Sequence, residues 1–227
     1  MFTLKLAPGG CLGLLTFVLP VITFCVSYYV SFKEHTMHYP LFFLSKSIDG
    51  EPASSAGSLG LGLSSVAFSS LVLLRALSIE CHIADTEAEG GEFGAVFCGR
   101  RFFTSVSEVR RVNRHGAYLG LVSALGCMGV GAVQIHIDLT LHLFFAGLFF
   151  ACGGFFCLVQ LILDFAVRRS STAAQRWVRF GFCCAMVSTG LLVVLAFILW
   201  DRGGVGVLNH DGFFTMVCIL EILILVE

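Results

Sequence analysis

"CLGLLTFVLPVITFCVSYYVSFKEHTMHYP", residues 11–40, decides the fold of this chain. From Cys11 to Ser31 it carries no charge, and then Lys33, Glu34, His35 and His38 arrive together. A helix rises about 1.5 Å per residue, so about 20 such residues cross the hydrocarbon core of a bilayer. A secretory signal has a shorter apolar region that ends at a small-residue cleavage site. Here the small-residue "CVS" at 25–27 is followed by more apolar chain, through Tyr28, Tyr29 and Val30. The stretch therefore predicts a first membrane crossing that is retained.

The same pattern recurs along the chain. Six apolar runs are visible: Gly10–Val30, Ser58–Ser78, Ala117–Gln134, Leu141–Leu163, Gly181–Trp200 and Gly212–Val226. The 227 residues are 57% apolar and 13% charged, with a mean hydropathy of +0.90. Soluble domains carry about 25% charged residues, so this composition excludes one. The net charge of −1 says nothing about partners; a nucleic-acid binder needs a basic surface, and none is visible. Lipid offers the backbone no hydrogen bonds, and the alternation of a membrane barrel is absent, so the runs predict helices. The predicted fold class is all-α: a polytopic membrane protein whose six transmembrane helices form a single domain over residues 1–227.

Lysine and arginine orient it. With the N-terminus in the cytosol, Lys5, Arg75, Arg100, Arg101, Arg110, Arg111, Arg114, Arg168, Arg169, Arg176 and Arg179 are cytosolic, which is eleven of fourteen basic residues. Lys33, Lys46 and Arg202 lie opposite. Both termini are thus expected in the cytosol. Residues 31–57 form a long luminal loop, and residues 82–116 a long cytosolic one, acidic in "DTEAEGGEF" and basic in "GRRFFTSVSEVRRVNRHG". The basic run could touch anionic headgroups, though basic loops also follow from topology alone. The sixth run is short and predicts a truncated last helix.

Gly116 and Gly120 form GxxxG, Ser123, Cys127 and Gly131 continue small residues every four, and Gly147 and Ala151 do the same in the fourth run. Such faces let helices approach closely, here within one chain. Eight of the ten cysteines lie in apolar runs; Cys81 and Cys98 fall in the polar cytosolic stretch, and no CxxC occurs.

Few residues invite chemistry. Glu221 is a carboxylate well inside an apolar run, where an ionisable group serves function or finds a partner. Gln160 in the fourth run reads as a packing hydrogen bond. His35, His38, His136, His142 and His210 fall on the luminal side with Asp49, Asp138, Asp201 and Asp211. "HIDLTLH" sets His136, Asp138 and His142 at the mouth of one hairpin. Imidazole and carboxylate suit zinc, but this spacing does not line one helical face, so solvated or pH-responsive groups are the plainer reading. No metal and no cofactor is expected. No GxSxG, Walker A, HExxH or kinase motif is present, so no enzymatic signature stands out.

Three strings carry a resemblance. "FKEHTMHYPLFFLSKSIDGEP", residues 32–52, "LGLVSALGCMGVGAVQIHIDLTLHLFFAGLFFACGGFFCLVQ", residues 119–160, and "FFTMVCILE", residues 213–221, resemble the DRAM (damage-regulated autophagy modulator), FRAG and Sfk family of six-helix membrane proteins. The shared features are Ser47, Asp49, Gly50 and Pro52 in the first loop, His142, Gly147 and Gln160 in the fourth helix, and Glu221 in the sixth. The acidic insert "DTEAEGGEF" departs from the pattern. The resemblance implies lipid handling: GPI-anchor lipid remodelling in the Golgi or ER is the favoured expectation. An autophagy, endolysosomal or phosphoinositide-signalling regulator, at the endolysosomal or plasma membrane, is the alternative. A small transporter, or a membrane enzyme using His136, Asp138 and His142, remains a further one. The expected partners are membrane lipids and GPI-anchored proteins, with no nucleic acid. The candidate functional residues are Asp49, His136, Asp138, His142, Gln160, His210 and Glu221.

Overall fold

The computed structural model describes residues 8–34, 47–88, 96–97, 100–101 and 105–167, with positions 177, 180, 181 and 184. Apart from positions 181 and 184, the fifth and sixth apolar runs lie outside the described residues, as do His35, His38, His210 and Glu221.

Four helices carry the described chain: α1 (Pro8–Lys33), α2 (Ala53–Ala88), α3 (Val106–Ala132) and α4 (Leu139–Ala166). Each is long and apolar enough to cross a membrane. They pack in chain order, α1 on α2, α2 on α3 and α3 on α4. Their large apolar side chains point outward, as at Tyr29, Phe32, Leu59, Val66, Leu125, Phe144 and Phe155. The seams between them hold small and hydroxylic residues, including Ser27, Ser64, Ser65 and Ser123. A water-soluble bundle has the reverse arrangement. In lipid, outward leucines cost nothing, and helices associate through close backbone contact and interhelical hydrogen bonds.

The stripe on α3 shows this directly. Gly116 faces Val159 and Gln160 of α4, Gly120 fits between Val72 of α2 and Phe156 of α4, and Gly131 abuts Leu61 and Ser58 of α2. A Cβ at Gly126 would run into the α4 backbone at Phe145 and Phe149, so that approach admits only glycine. Hydroxyls then bond across the seams: Ser65 Oγ donates to Ala124 O at 2.6 Å, Ser123 Oγ to Phe149 O at 2.8 Å, and Ser58 Oγ to Gly131 O. The stripe is thus filled by packing within the chain. Gly147 and Ala151, by contrast, stay exposed among the described residues.

Helices α2 and α3 outrun their apolar stretches. With 36 residues, α2 is about 54 Å long, well beyond a bilayer core. Much of what reads in sequence as one loop over residues 82–116 is therefore helix. Three interactions explain the extension. Ile79 and Ile83 of α2 are buried against Val109 of α3 and Leu163, Ala166 and Val167 at the end of α4. Asn113 Nδ2 donates to Ala76 O at 3.0 Å and to Glu80 Oε1 at 3.1 Å. Arg110 reaches Glu80 at 3.2 Å and Glu87 at 2.6 Å. Half-exposed ion pairs contribute at most about 1 kcal/mol each, so the buried apolar contact stabilises the extension more than they do. Ser105 starts α3 as its N-cap, its side chain accepting from Glu108 N. Between α2 and α3, β1 (Val96–Phe97) and β2 (Arg100–Arg101) make a two-residue antiparallel ladder, a small exception to the all-helical pattern.

Candidate functional site

The bundle has two unlike ends. At one, α2 and α3 run on together. At the other, a short α3–α4 turn meets the segment that enters α2, and this mouth gathers most of the polar candidates.

Three consecutive residues of that segment, Ser47, Ile48 and Asp49, are all buried, and each engages a different element. Ser47 O accepts from Ser31 Oγ of α1 at 2.8 Å. The Ile48 side chain lies against Gly57 of α2, which has no Cβ to obstruct it, and joins Leu61 and Cys127 in a small apolar cluster. Asp49 Oδ1 accepts from His136 in the α3–α4 turn twice: from its backbone N–H at 2.8 Å and from its Nδ1 at 2.9 Å. One short segment therefore ties α1, α2 and the α3–α4 turn together.

The burial of this pair is uneven. The Asp49 side chain is 4% exposed and that of His136 is 54% exposed. A carboxylate only accepts, so Nδ1 of His136 carries the hydrogen, and among the described residues no hydrogen bond engages its Nε2. The backbone bond fixes where the residue sits, and the ring bond fixes how the imidazole is turned.

The other two residues of "HIDLTLH" hold the turn. Asp138 is the N-cap of α4: its side chain accepts from Leu141 N at 2.9 Å. Such a cap satisfies a backbone donor that the helix leaves unpaired. His142 is buried, and its Nδ1 donates to Val133 O at 2.6 Å, joining the first turn of α4 to the C-cap of α3. The hairpin trio thus divides. His136 presents its ring outward, whereas Asp138 and His142 build the turn that carries it. The carboxylate beside His136 is Asp49, not Asp138. Among the described residues, no three His, Cys, Asp or Glu side chains come together as a metal-ligand group.

Gln160 lies at the opposite end of α4, far along the helix from the mouth. Its Oε1 accepts from Arg75 Nε of α2 at 3.1 Å. The same guanidinium pairs with Asp164, whose side chain is fully buried. Sequence patterning does not single out Arg75 and Asp164 as a pair, although one cation and one carboxylate at matching ends of two apolar runs is a usable signal. Asp49 stands out in the sequence, but not as the partner of His136.

The comparisons with known proteins bear on the whole chain. No curated protein and no solved structure was found to match it. The profile of the Frag1/DRAM/Sfk1/Cwh43P N-terminal domain matches residues 8–225, and the chain belongs to that family.

Proposed function

We propose that this membrane protein handles lipids in the secretory pathway, with GPI-anchor lipids as the favoured class, and that its mouth faces the lumen. The reading includes six crossings with both termini in the cytosol. Its support is the distribution of basic residues: Arg75, Arg110, Arg111 and Arg114 all belong to the extended end of α2 and α3, and Lys33 closes α1 at the other end.

The observation that carries the functional reading is the Asp49–His136 pair. A carboxylate that is almost fully buried holds a half-exposed imidazole at the edge of the helices, three residues before α4 begins at Leu139. The ends of membrane-crossing helices lie where headgroup gives way to acyl chain. The free Nε2 accepts a hydrogen bond from a hydroxyl, and a GPI headgroup is rich in hydroxyls on its inositol and sugars.

The test is lipid mass spectrometry of GPI anchors from cells lacking the chain, re-supplied with wild type or with His136→Ala. The anchors should change without the chain and be restored by wild type alone, with both proteins equally abundant. Anchors that do not change in its absence would discard this reading in favour of an endolysosomal or phosphoinositide role.

A further inference from the structure

We propose that Asp49 and His136 form a general-base dyad that transfers acyl groups at the membrane surface, acting on a carboxylic ester of an amphiphilic lipid. The inference rests on the reading of the mouth as a lipid-facing site and adds a reaction to it.

The geometry separates this proposal from a simple latch. To tie the 47–49 segment to the α3–α4 turn, the bond from His136 N–H to Asp49 is enough. The second bond, from Nδ1, sets the tautomer and the rotation of a ring that is otherwise half in the open. A buried carboxylate that holds an imidazole with its lone-pair nitrogen outward is the arrangement by which a histidine is kept as a base. The turn beneath it is rigid. Asp138 caps α4, His142 binds Val133 O, and the Ile137 and Asp138 N–H groups both bond Gln134 O, at 3.1 and 3.2 Å. Reactive groups need such support to stay in position.

The surroundings name the substrate class. Ile137 is 67% and Leu139 53% exposed, and Leu143 and Phe144 also stand outward on the first turns of α4. The imidazole therefore sits where outward apolar side chains begin. In a lipid, that depth is occupied by the ester carbonyls, with the phosphodiester further out.

The step balances without a further reagent. Nε2 of His136 takes the proton of a hydroxyl, on water or on a lipid alcohol, as the hydroxyl oxygen adds to the acyl carbon. The tetrahedral adduct then collapses, the original ester C–O bond breaks, and the imidazolium returns the proton to the departing alkoxide. Water gives a free acid and a lyso-lipid; a lipid alcohol gives a new ester. His136 is the catalytic residue, and Asp49 is a positioning residue.

The experiment uses the full chain in nanodiscs of phosphatidylcholine and phosphatidylinositol that carry an isotope-labelled acyl chain. One arm contains ¹⁸O-water and the other added lysophosphatidylinositol, with products read by mass spectrometry. Label in the freed carboxylate identifies water as acceptor; labelled chain on the added lyso-lipid identifies the alcohol. His136→Gln should lower turnover by about 100-fold or more. Added imidazole should partly restore His136→Ala, an effect that a structural role would not produce. Asp49→Asn should lower turnover and leave substrate affinity unchanged. No turnover by the wild-type chain in either arm, or undiminished turnover by His136→Gln, overturns the dyad. In cells, anchors that respond to loss of the chain but are fully restored by His136→Gln would overturn the dyad and keep the lipid-handling reading. Anchors indifferent to the chain would overturn that reading while the nanodisc result decides the dyad.

Discussion

Arg75 of α2 and Asp164 of α4 form an ion pair whose carboxylate is fully buried, and Gln160, one turn before Asp164, accepts from the same guanidinium at 3.1 Å. The triad fixes the depth of one helix against another at the extended end of the bundle. Breaking a buried ion pair from one side typically costs about 3–5 kcal/mol, whereas replacing both partners with apolar residues is close to neutral. Asp164→Ala should therefore lower the melting temperature of the detergent-purified protein sharply, and Arg75→Leu with Asp164→Leu should recover most of the loss. Equal melting of Asp164→Ala and wild type would show that the pair does not hold these helices.

Asp138 and His136 are two residues apart, yet their roles differ. Asp138→Ala removes a helix cap, worth about 1 kcal/mol. It should lower thermal stability slightly and leave the proposed lipid function intact. His136→Ala should remove the proposed lipid function at near-normal abundance, because its ring is half-exposed and its backbone N–H still donates to Asp49. Cellular complementation, read together with protein abundance, separates the two. A functional loss in Asp138→Ala at full abundance would return the site to the hairpin residues.

Close packing makes a sharp distinction between two glycines. Gly126 meets the α4 backbone at Phe145 and Phe149, whereas no described atom lies within 4 Å of a Cβ at Gly147. Gly126→Leu should abolish accumulation of monodisperse protein, since neither helix backbone can give way. Gly147→Leu should be tolerated by the four described helices. Size-exclusion profiles of the two variants test this, and a normal profile for Gly126→Leu would contradict the observed α3–α4 approach.

The orientation has its own test. Tags at both termini should become accessible to protease once the plasma membrane alone is permeabilised. Cys81, exposed on the extension of α2, should then react with a membrane-impermeant maleimide in a variant with Cys98→Ser, the labelling falling when Cys81→Ser is added. Protection of either tag, or of Cys81, under those conditions would invert the topology drawn from the basic residues.

What the sequence determined by itself is what depends on neighbours in the chain. Uncharged runs of about 20 residues specify helices in lipid. The three- and four-residue spacing of small residues from Gly116 to Gly131 marks the face of α3 that packs inward, because residues three and four apart share a face. The start of α3 at Ser105 is not read from the sequence: it lies inside the stretch that composition alone reads as loop. The candidate site was legible only in part. His136 and Asp49 each stand out by type and place, but their pairing joins positions 87 residues apart, just as that of Arg75 and Asp164 spans 89. Such partnerships depend on the depth and rotation at which helices settle against one another. Those are set by the sum of the contacts along each seam, and the tertiary structure alone assigned Asp138 to a helix end and Asp49 to the imidazole.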